Sequence, residues 1–371
     1  MTGLTSSHTE KLTSLLTALV NQEAAETILP PLESAPGFWF GGGNMAVDTN
    51  NVIWLVGRYR NSGDSRTGLE KGARGLECAL FKSTDNGASF TNVKSWSKQD
   101  LSQANATVLS IEGTALYRTP AGMWELYVSF EKEAAYPDPV SDYRKPGTGV
   151  WEIVRLTGPS PDKLSPESMK PVLAVRDKPE YLHVKDPVVF DAPGGGTALL
   201  FATHPFCWSS GGTGLALRKE HAEDFAVQTW EVVPRGPAWD VASTRLTDRL
   251  AVPSVGIFKD SVAYSVYFYD GAECLRAHEQ NRRAKQRPRG YSCEELGGAL
   301  LGEDARFPTC TRLSLLAPLF VSPHGTGCSR YVKTLVTADG ILASWQQAQP
   351  DGSQPLVGHF LDNQTIEDLL T

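Results

Sequence analysis

Residues Tyr181–His204, YLHVKDPVVFDAPGGGTALLFATH, decide how this chain is read. Two apolar runs flank a glycine-rich turn, the pattern of a β-hairpin. β-Branched and aromatic residues crowd both runs, as a pleated, half-buried surface requires. Yet Lys185 and Asp186 stand at the head of the first run. Burying such charges is costly unless they are paired or face a polar space. Whether this hairpin is solitary or one of a series therefore matters first.

It is one of a series. The same unit, strand, tight turn and second strand, occurs at Gly43–Arg60 (GNMAVDTNNVIWLVGRYR) and Glu112–Lys132 (EGTALYRTPAGMWELYVSFEK). It recurs at Arg249–Asp270 (RLAVPSVGIFKDSVAYSVYFYD) and Cys328–Gln347 (CSRYVKTLVTADGILASWQQ). Each copy is followed by a polar loop and two weaker strands. Five copies at a spacing of roughly 70 residues predict an all-β, five-bladed β-propeller, with six blades the nearest alternative. In such a ring the first strand of each blade lines the central channel. The first turns are short and bland, whereas the loops after the second strands are long and chemically rich. Function is expected on the face that carries those long loops.

Ahead of the hairpins, HTEKLTSLLTALVNQEAAETIL places Leu12, Leu15, Leu16, Leu19 and Val20 at helical spacing. Thr13, Ser14 and Thr17 interrupt the apolar stretch and Glu10 precedes it, which favours a short amphipathic helix over a signal peptide. Residues 1–36 are read as a helical extension and 37–371 as the propeller. The composition, 41% hydrophobic and 21% charged, is that of a globular chain. A net charge of −7 disfavours a general nucleic-acid binder. No apolar run approaches the roughly 20 residues of a membrane helix. The six cysteines form no CxxC pair, so they read as reduced thiols in a cytoplasmic protein, with no metal or cofactor expected.

Matching the copies sets Asp186 opposite Glu112 at the heads of their strands, with Gly43 or Asn44, Pro253 and Arg330 as the equivalents elsewhere. Two carboxylates and a guanidinium would then meet at one mouth. Strand alternation points Lys185 away from them. In these residues the chain resembles the five-bladed glycosidases of the arabinanase, invertase and levansucrase type. VKDPVVFD is similar to their Asp-Pro strand and EGTALYR to their Glu-Gly strand. The resemblance implies hydrolysis of a glycosidic bond, with Glu112 as acid and Asp186 as base or stabiliser. A second resemblance is STDNGASF, Ser83–Phe90, which is similar to the Asp-box of sialidases and implies a structural turn between third and fourth strands.

Arginines mark the same face: Arg58, Arg60, Arg249, Arg276 and Arg330, with Glu273 nearby. Guanidinium groups bind carboxylates through paired hydrogen bonds. Their number points to an anionic sugar: a sialic, ketoaldonic or uronic acid. Trp208, in HPFCWSSGG, is the best candidate for stacking on a sugar, ahead of Trp39, Trp239 and Trp345. His204 is a candidate proton carrier. The basic run NRRAKQRPRG reads as a solvated loop. The leading function is thus an exo-acting glycoside hydrolase acting on a carbohydrate, with neither nucleic acid nor membrane as partner. Two alternatives are kept. A polysaccharide lyase would use His204 or Tyr269 as base and Arg58 with Arg330 to neutralise a uronate. A glycan-binding propeller would catalyse nothing.

Overall fold

The computed structural model describes residues 5–60, 75–103, 106–274 and 295–371. In it each hairpin becomes the inner half of a four-stranded antiparallel sheet, and five such sheets are found among the described residues. A short strand, β1 (Glu26–Leu29), comes first and is placed below. The first blade holds β2 (Trp39–Val47), β3 (Ile53–Arg60), β4 (Glu77–Ser83) and β5 (Thr91–Ser97). The second holds β6 (Val108–Arg118), β7 (Trp124–Lys132), β8 (Val150–Gly158) and β9 (Ser165–Leu173). The third holds β10 (His183–Asp191), β11 (Thr197–His204), β12 (Gly212–Arg218) and β13 (Ala226–Thr229). The fourth holds β14 (Ser243–Ala251), β15 (Tyr264–Ala272), β16 (Leu296–Glu303) and β17 (Thr311–Arg312). The fifth holds β18 (Ser329–Val336), β19 (Gly340–Gln347) and β20 (Leu356–Asp362).

The fifth blade takes its outer strand from the other end of the chain. β1 pairs antiparallel with β20, Glu26 opposite Gly358. This closes the ring and leaves only the four-residue β1 as the blade's open edge, and short edge strands are one way to limit that liability. It also corrects the domain division, because residues 26–29 belong to the propeller rather than to an extension. Helix α1 (Ser6–Leu19) is where the apolar spacing predicts it. After a single turn at Lys98–Leu101 (α2), the chain ends in a helix that was not foreseen, α3 (Asn363–Leu370).

The core is divided along the seams between blades. Val56, Leu80 and Trp96 of the first blade meet Leu116, Leu126 and Val154 of the second. Tyr127 and Ile153 meet Leu199 and Phe201 across the next seam. Leu200 and Leu215 meet Tyr267 and Leu300 across the third. Phe40 and Leu55 meet Leu335 and Leu342 where the ring closes. The largest cluster joins the fourth and fifth blades and takes in Leu12, Leu15, Leu16 and Leu19 of α1 with Ile366 and Leu370 of α3. The two helices thus cap one seam. Trimming Ile366 to Val is expected to cost about 1 kcal/mol through the lost methylene and its void, measurable by urea denaturation.

The fourth copy begins earlier than the sequence implies. Its inner strand is Ser243–Ala251, STRLTDRLA, so Arg249 lies near the far end of the strand and Pro253 beyond it. Arg245, Thr247 and Asp248 are buried in that strand, which hides its apolar signal. The STDNGASF turn joins β4 to β5. There Ser83 donates to Asp85 at 2.6 Å, Asp85 accepts the Ser89 N–H at 3.0 Å, and Gly87 has φ +90°. The described cysteines, Cys78, Cys207, Cys274, Cys310 and Cys328, are free thiols. Among the described residues no helix is long and apolar enough to cross a membrane.

Candidate active site at the channel mouth

All five inner strands carry a bulge at the same level. The ladder skips a residue between Gly42 and Asn44 in β2, Ile111 and Thr114 in β6, and Lys185 and Val188 in β10. It skips again between Leu246 and Asp248 in β14 and between Arg330 and Lys333 in β18. A bulge bends its strand and re-aims the side chains beside it. Aligned on the bulge, Glu112, Asp186 and Tyr331 hold one equivalent position, with Gly42 and Leu246 in the other two blades. The match of Asp186 with Glu112 is kept, but the remaining equivalents move from Gly43 or Asn44, Pro253 and Arg330. Asp186 and Tyr331 also share a left-handed backbone, φ +52° and +56°. That is uncommon for residues other than glycine and is held in place by the surrounding structure.

The bulge corrects the reading of Lys185. Its Nζ does not turn away but lies 2.7 Å from Glu112 Oε2 and 3.6 Å from Asp186 Oδ2. Arg58 Nη2 approaches the other Glu112 oxygen at 3.7 Å. Burial opposes a charge on Glu112, yet Lys185 and Arg58 outweigh it and hold the carboxyl well below the usual carboxylate range. Burial also opposes the Lys185 charge, but Asp186 and Glu112 hold it above the ordinary lysine value. Two aromatic walls complete the lysine's surroundings, with the ammonium 5.5 Å from the Trp151 ring and 5.3 Å from that of Trp208.

Asp186 is fixed from three sides. Its N–H donates to Ser129 Oγ at 3.3 Å, Oδ2 accepts from Arg245 at 3.2 Å, and Gly113 lies against its Cα. Its second oxygen, Oδ1, is buried with no hydrogen-bond partner among the described residues. Asp186 faces a small pocket whose lining comes from all five inner strands, including Gly42, Thr114, Arg245, Thr247 and Lys333. Such an orphaned acceptor on a pocket wall calls for a functional explanation.

Arg245 is the hub of the mouth. Besides Asp186 it meets Asp270 at 2.8 Å and Glu295 at 3.0 Å, and lies 4.2 Å from the Tyr331 ring. Burial and the neighbouring Glu295, set against Arg245, push the Asp270 carboxyl up to about 6. Arg330 pairs with Glu295 rather than with Glu112 or Asp186. Three guanidinium groups share Trp39, with Arg58 at 4.8 Å, Arg60 at 4.9 Å and Arg330 at 4.4 Å from its ring. Sequence reasoning missed Arg245 and Glu295, and ranked Trp39 behind Trp208. Glu295 was the more legible of the two missed, since it stands just before β16, whose start lies at the mouth.

Trp208 reaches the mouth with a left-handed φ of +54°. It stacks on His183 at 4.6 Å and on His204 at 4.4 Å. His204 Nδ1 lies 3.0 Å from the Ser210 carbonyl, so that nitrogen carries the proton. Burial first, and then the charge of Lys185, pull the His204 ring down to about 3. His204 is therefore an uncharged ring enclosed beneath Trp208, not a carrier poised near neutral pH.

Other expectations fall away from the mouth. Arg249 pairs with Asp304 at 2.9 Å and lies over Phe190. Tyr269 is stacked on Trp239 at 5.3 Å inside the seam between the third and fourth blades. Trp345 is wholly buried in the cluster under the helices. Glu273 stands just past β15, at the end where the mouth loops depart. Arg276 and the basic run lie outside the described residues, as does Cys293. Among the described residues no group of three or more His, Cys, Asp or Glu side chains could hold a metal ion.

Gly113 is a test of this geometry. A Cβ there would stand 2.3 Å from Asp186 Oδ1 and 2.5 Å from Asp186 Cα. Backbone cannot yield as a side chain can, so Gly113→Ala must displace Asp186. Activity is expected to fall by about 10²-fold, the usual scale for a misplacement near 1 Å. Kinetics on the variant, set beside its melting curve, separate displacement from unfolding.

No family model matches the chain, and no curated protein matches it. Solved structures do resemble it. One is a β-xylosidase/α-arabinofuranosidase of glycoside hydrolase family 43 from a compost microbial metagenome, solved with xylotriose in a calcium-free form. It is 9% identical with a TM-score of 0.56, over 91% of this chain and 95% of that one. An α-L-arabinofuranosidase from Lactobacillus brevis is 10% identical with a TM-score of 0.53, over 90% and 92%. A further structure described as a glycoside hydrolase is 11% identical with a TM-score of 0.59, over 96% of each chain. At these identities the likeness shows the five-bladed propeller fold.

Proposed function

We propose that the protein is an exo-acting glycoside hydrolase whose substrate is an anionic sugar: a sialic, ketoaldonic or uronic acid. One observation carries this reading. Glu112 and Asp186 hold equivalent bulge positions on neighbouring inner strands, and a single ammonium reaches both. Hydrolysis of a glycoside needs two such carboxyl groups across the scissile bond. Asp186, with Oδ1 unpartnered beside the pocket, suits the role of base, nucleophile or charge stabiliser. Glu112, the more exposed of the two, suits the acid. In the free protein it is held ionised, so it can deliver a proton only after Lys185 and Arg58 are drawn to another anion.

The cationic wall of Arg58, Arg60, Lys185, Arg245 and Arg330 supports an anionic substrate. The lyase alternative loses support, because both of its proposed bases, His204 and Tyr269, are enclosed.

Incubation with a panel of neutral and acidic oligosaccharides, read by mass and ultraviolet absorbance, tests the proposal. Hydrolysis adds one water to the products. The first-formed anomer, followed by proton NMR, tells retention from inversion of configuration. Unsaturated products, or no product from any glycan, would reject the reading.

A further inference from the structure

The seat of the Glu112 carboxylate looks like a ligand site that the protein fills with its own side chain. One oxygen accepts from the Lys185 ammonium at 2.7 Å and the other faces the Arg58 guanidinium at 3.7 Å. Each cation has contacts besides Glu112. Lys185 is braced by Asp186 and the rings of Trp151 and Trp208. Arg58 lies on Trp39 beside Arg60 and Arg330. With 21% of its side chain exposed, against 10% for Lys185 and 5% for Arg58, Glu112 is the most accessible of the three to an anion arriving from water.

From this arrangement we infer that Glu112 is an internal stand-in for the carboxylate of an acidic sugar, which displaces it from Lys185 and Arg58 on binding. The inference rests on reading the mouth as a glycan site and adds where the sugar's carboxylate goes. The exchange is one of ion pairs, with no bond made or broken. It has a chemical consequence. Glu112, freed of both cations, regains an ordinary tendency to hold a proton, because the charges that held it ionised are now satisfied by the sugar. The acid would thus be armed by the group that identifies the substrate. A neutral sugar, with nothing to offer Lys185 and Arg58, would leave Glu112 locked. Specificity of this kind acts through the reacting group rather than through affinity alone.

The test is a binding measurement that needs no turnover. Glucuronate, galacturonate and N-acetylneuraminate are titrated calorimetrically against the full chain, with glucose and galactose as neutral controls. At least one acidic sugar is expected to bind more tightly than the neutral ones. Glu112→Gln, which keeps the shape and removes the competing charge, is expected to bind that sugar about tenfold more tightly and the neutral sugars as before. Lys185→Met and Arg58→Met are each expected to lose the preference, and either variant that melts like the parent carries this arm. A Glu112→Gln protein that binds the acidic sugar no better than the parent overturns the inference. So does failure of every acidic sugar to bind, or a preference that survives both cation replacements. Hydrolysis of a neutral glycan without these effects would leave the hydrolase reading standing and remove the stand-in. The expected binding pattern without product from any glycan would do the reverse.

Discussion

Asp186→Asn is expected to lower kcat/KM for the proposed glycoside hydrolysis by about 10³-fold. That lies within the range contributed by a positioned acid or base. The substitution changes little else. Asn matches Asp in shape, and it tolerates the left-handed φ of +52° that most side chains resist. The amide can still face Arg245 through its oxygen. The melting temperature is therefore expected to stay near that of the parent, so lost turnover cannot be assigned to lost fold. An Asp186→Asn protein that is folded and within tenfold of the parent in kcat/KM would remove Asp186 from the chemistry.

The second large effect lies at the opposite end of the channel wall and concerns stability alone. Glu125, near the start of β7, is buried and holds together two blades. It accepts from Arg218 of the third blade at 2.7 and 2.8 Å, from Arg155 at 3.1 Å, and from the Tyr127 hydroxyl at 2.6 Å. Glu125→Ala leaves two buried guanidinium groups without their shared counter-ion. Breaking such a pair typically costs about 3–5 kcal/mol, because the stranded charge keeps its desolvation cost. A fall in Tm on the order of 5–10 °C is expected, with KM unchanged. The exposed pair Lys170–Glu223, of similar length at 2.8 Å, is the control. Its removal is expected to leave the melting curve where it was, since exposed ion pairs are largely screened. Equal effects from the two pairs would refute the argument from burial.

The hairpins were legible because their second strands are buried throughout, as in β11, and so appear as apolar runs between turns. β14 escaped because most of its buried positions are polar or charged. Arg245 and Asp248 are satisfied by Asp186 and Thr334 on other blades, which local sequence cannot show. β1 escaped because four residues at a sheet edge make little pattern. In the site, Glu112 and Asp186 were found by aligning copies. The direction of Lys185 was misread because alternation assumes an unbroken strand, and the bulge adds a residue beside it. The sharing of Trp39 by three arginines joins strands from the first and fifth blades, and nothing local announces it.

The pairing of β1 with β20 also orders events in time. β1 finds its partner only when residues 356–362, far along the chain, are in place. Until then the leucines of α1 lack the seam that buries them, and the edge of β20 is bare. Contacts between segments so distant in the chain are slow to form. Closure of the ring is thus a late step of folding, and the interval before it is when the chain is most open to aggregation.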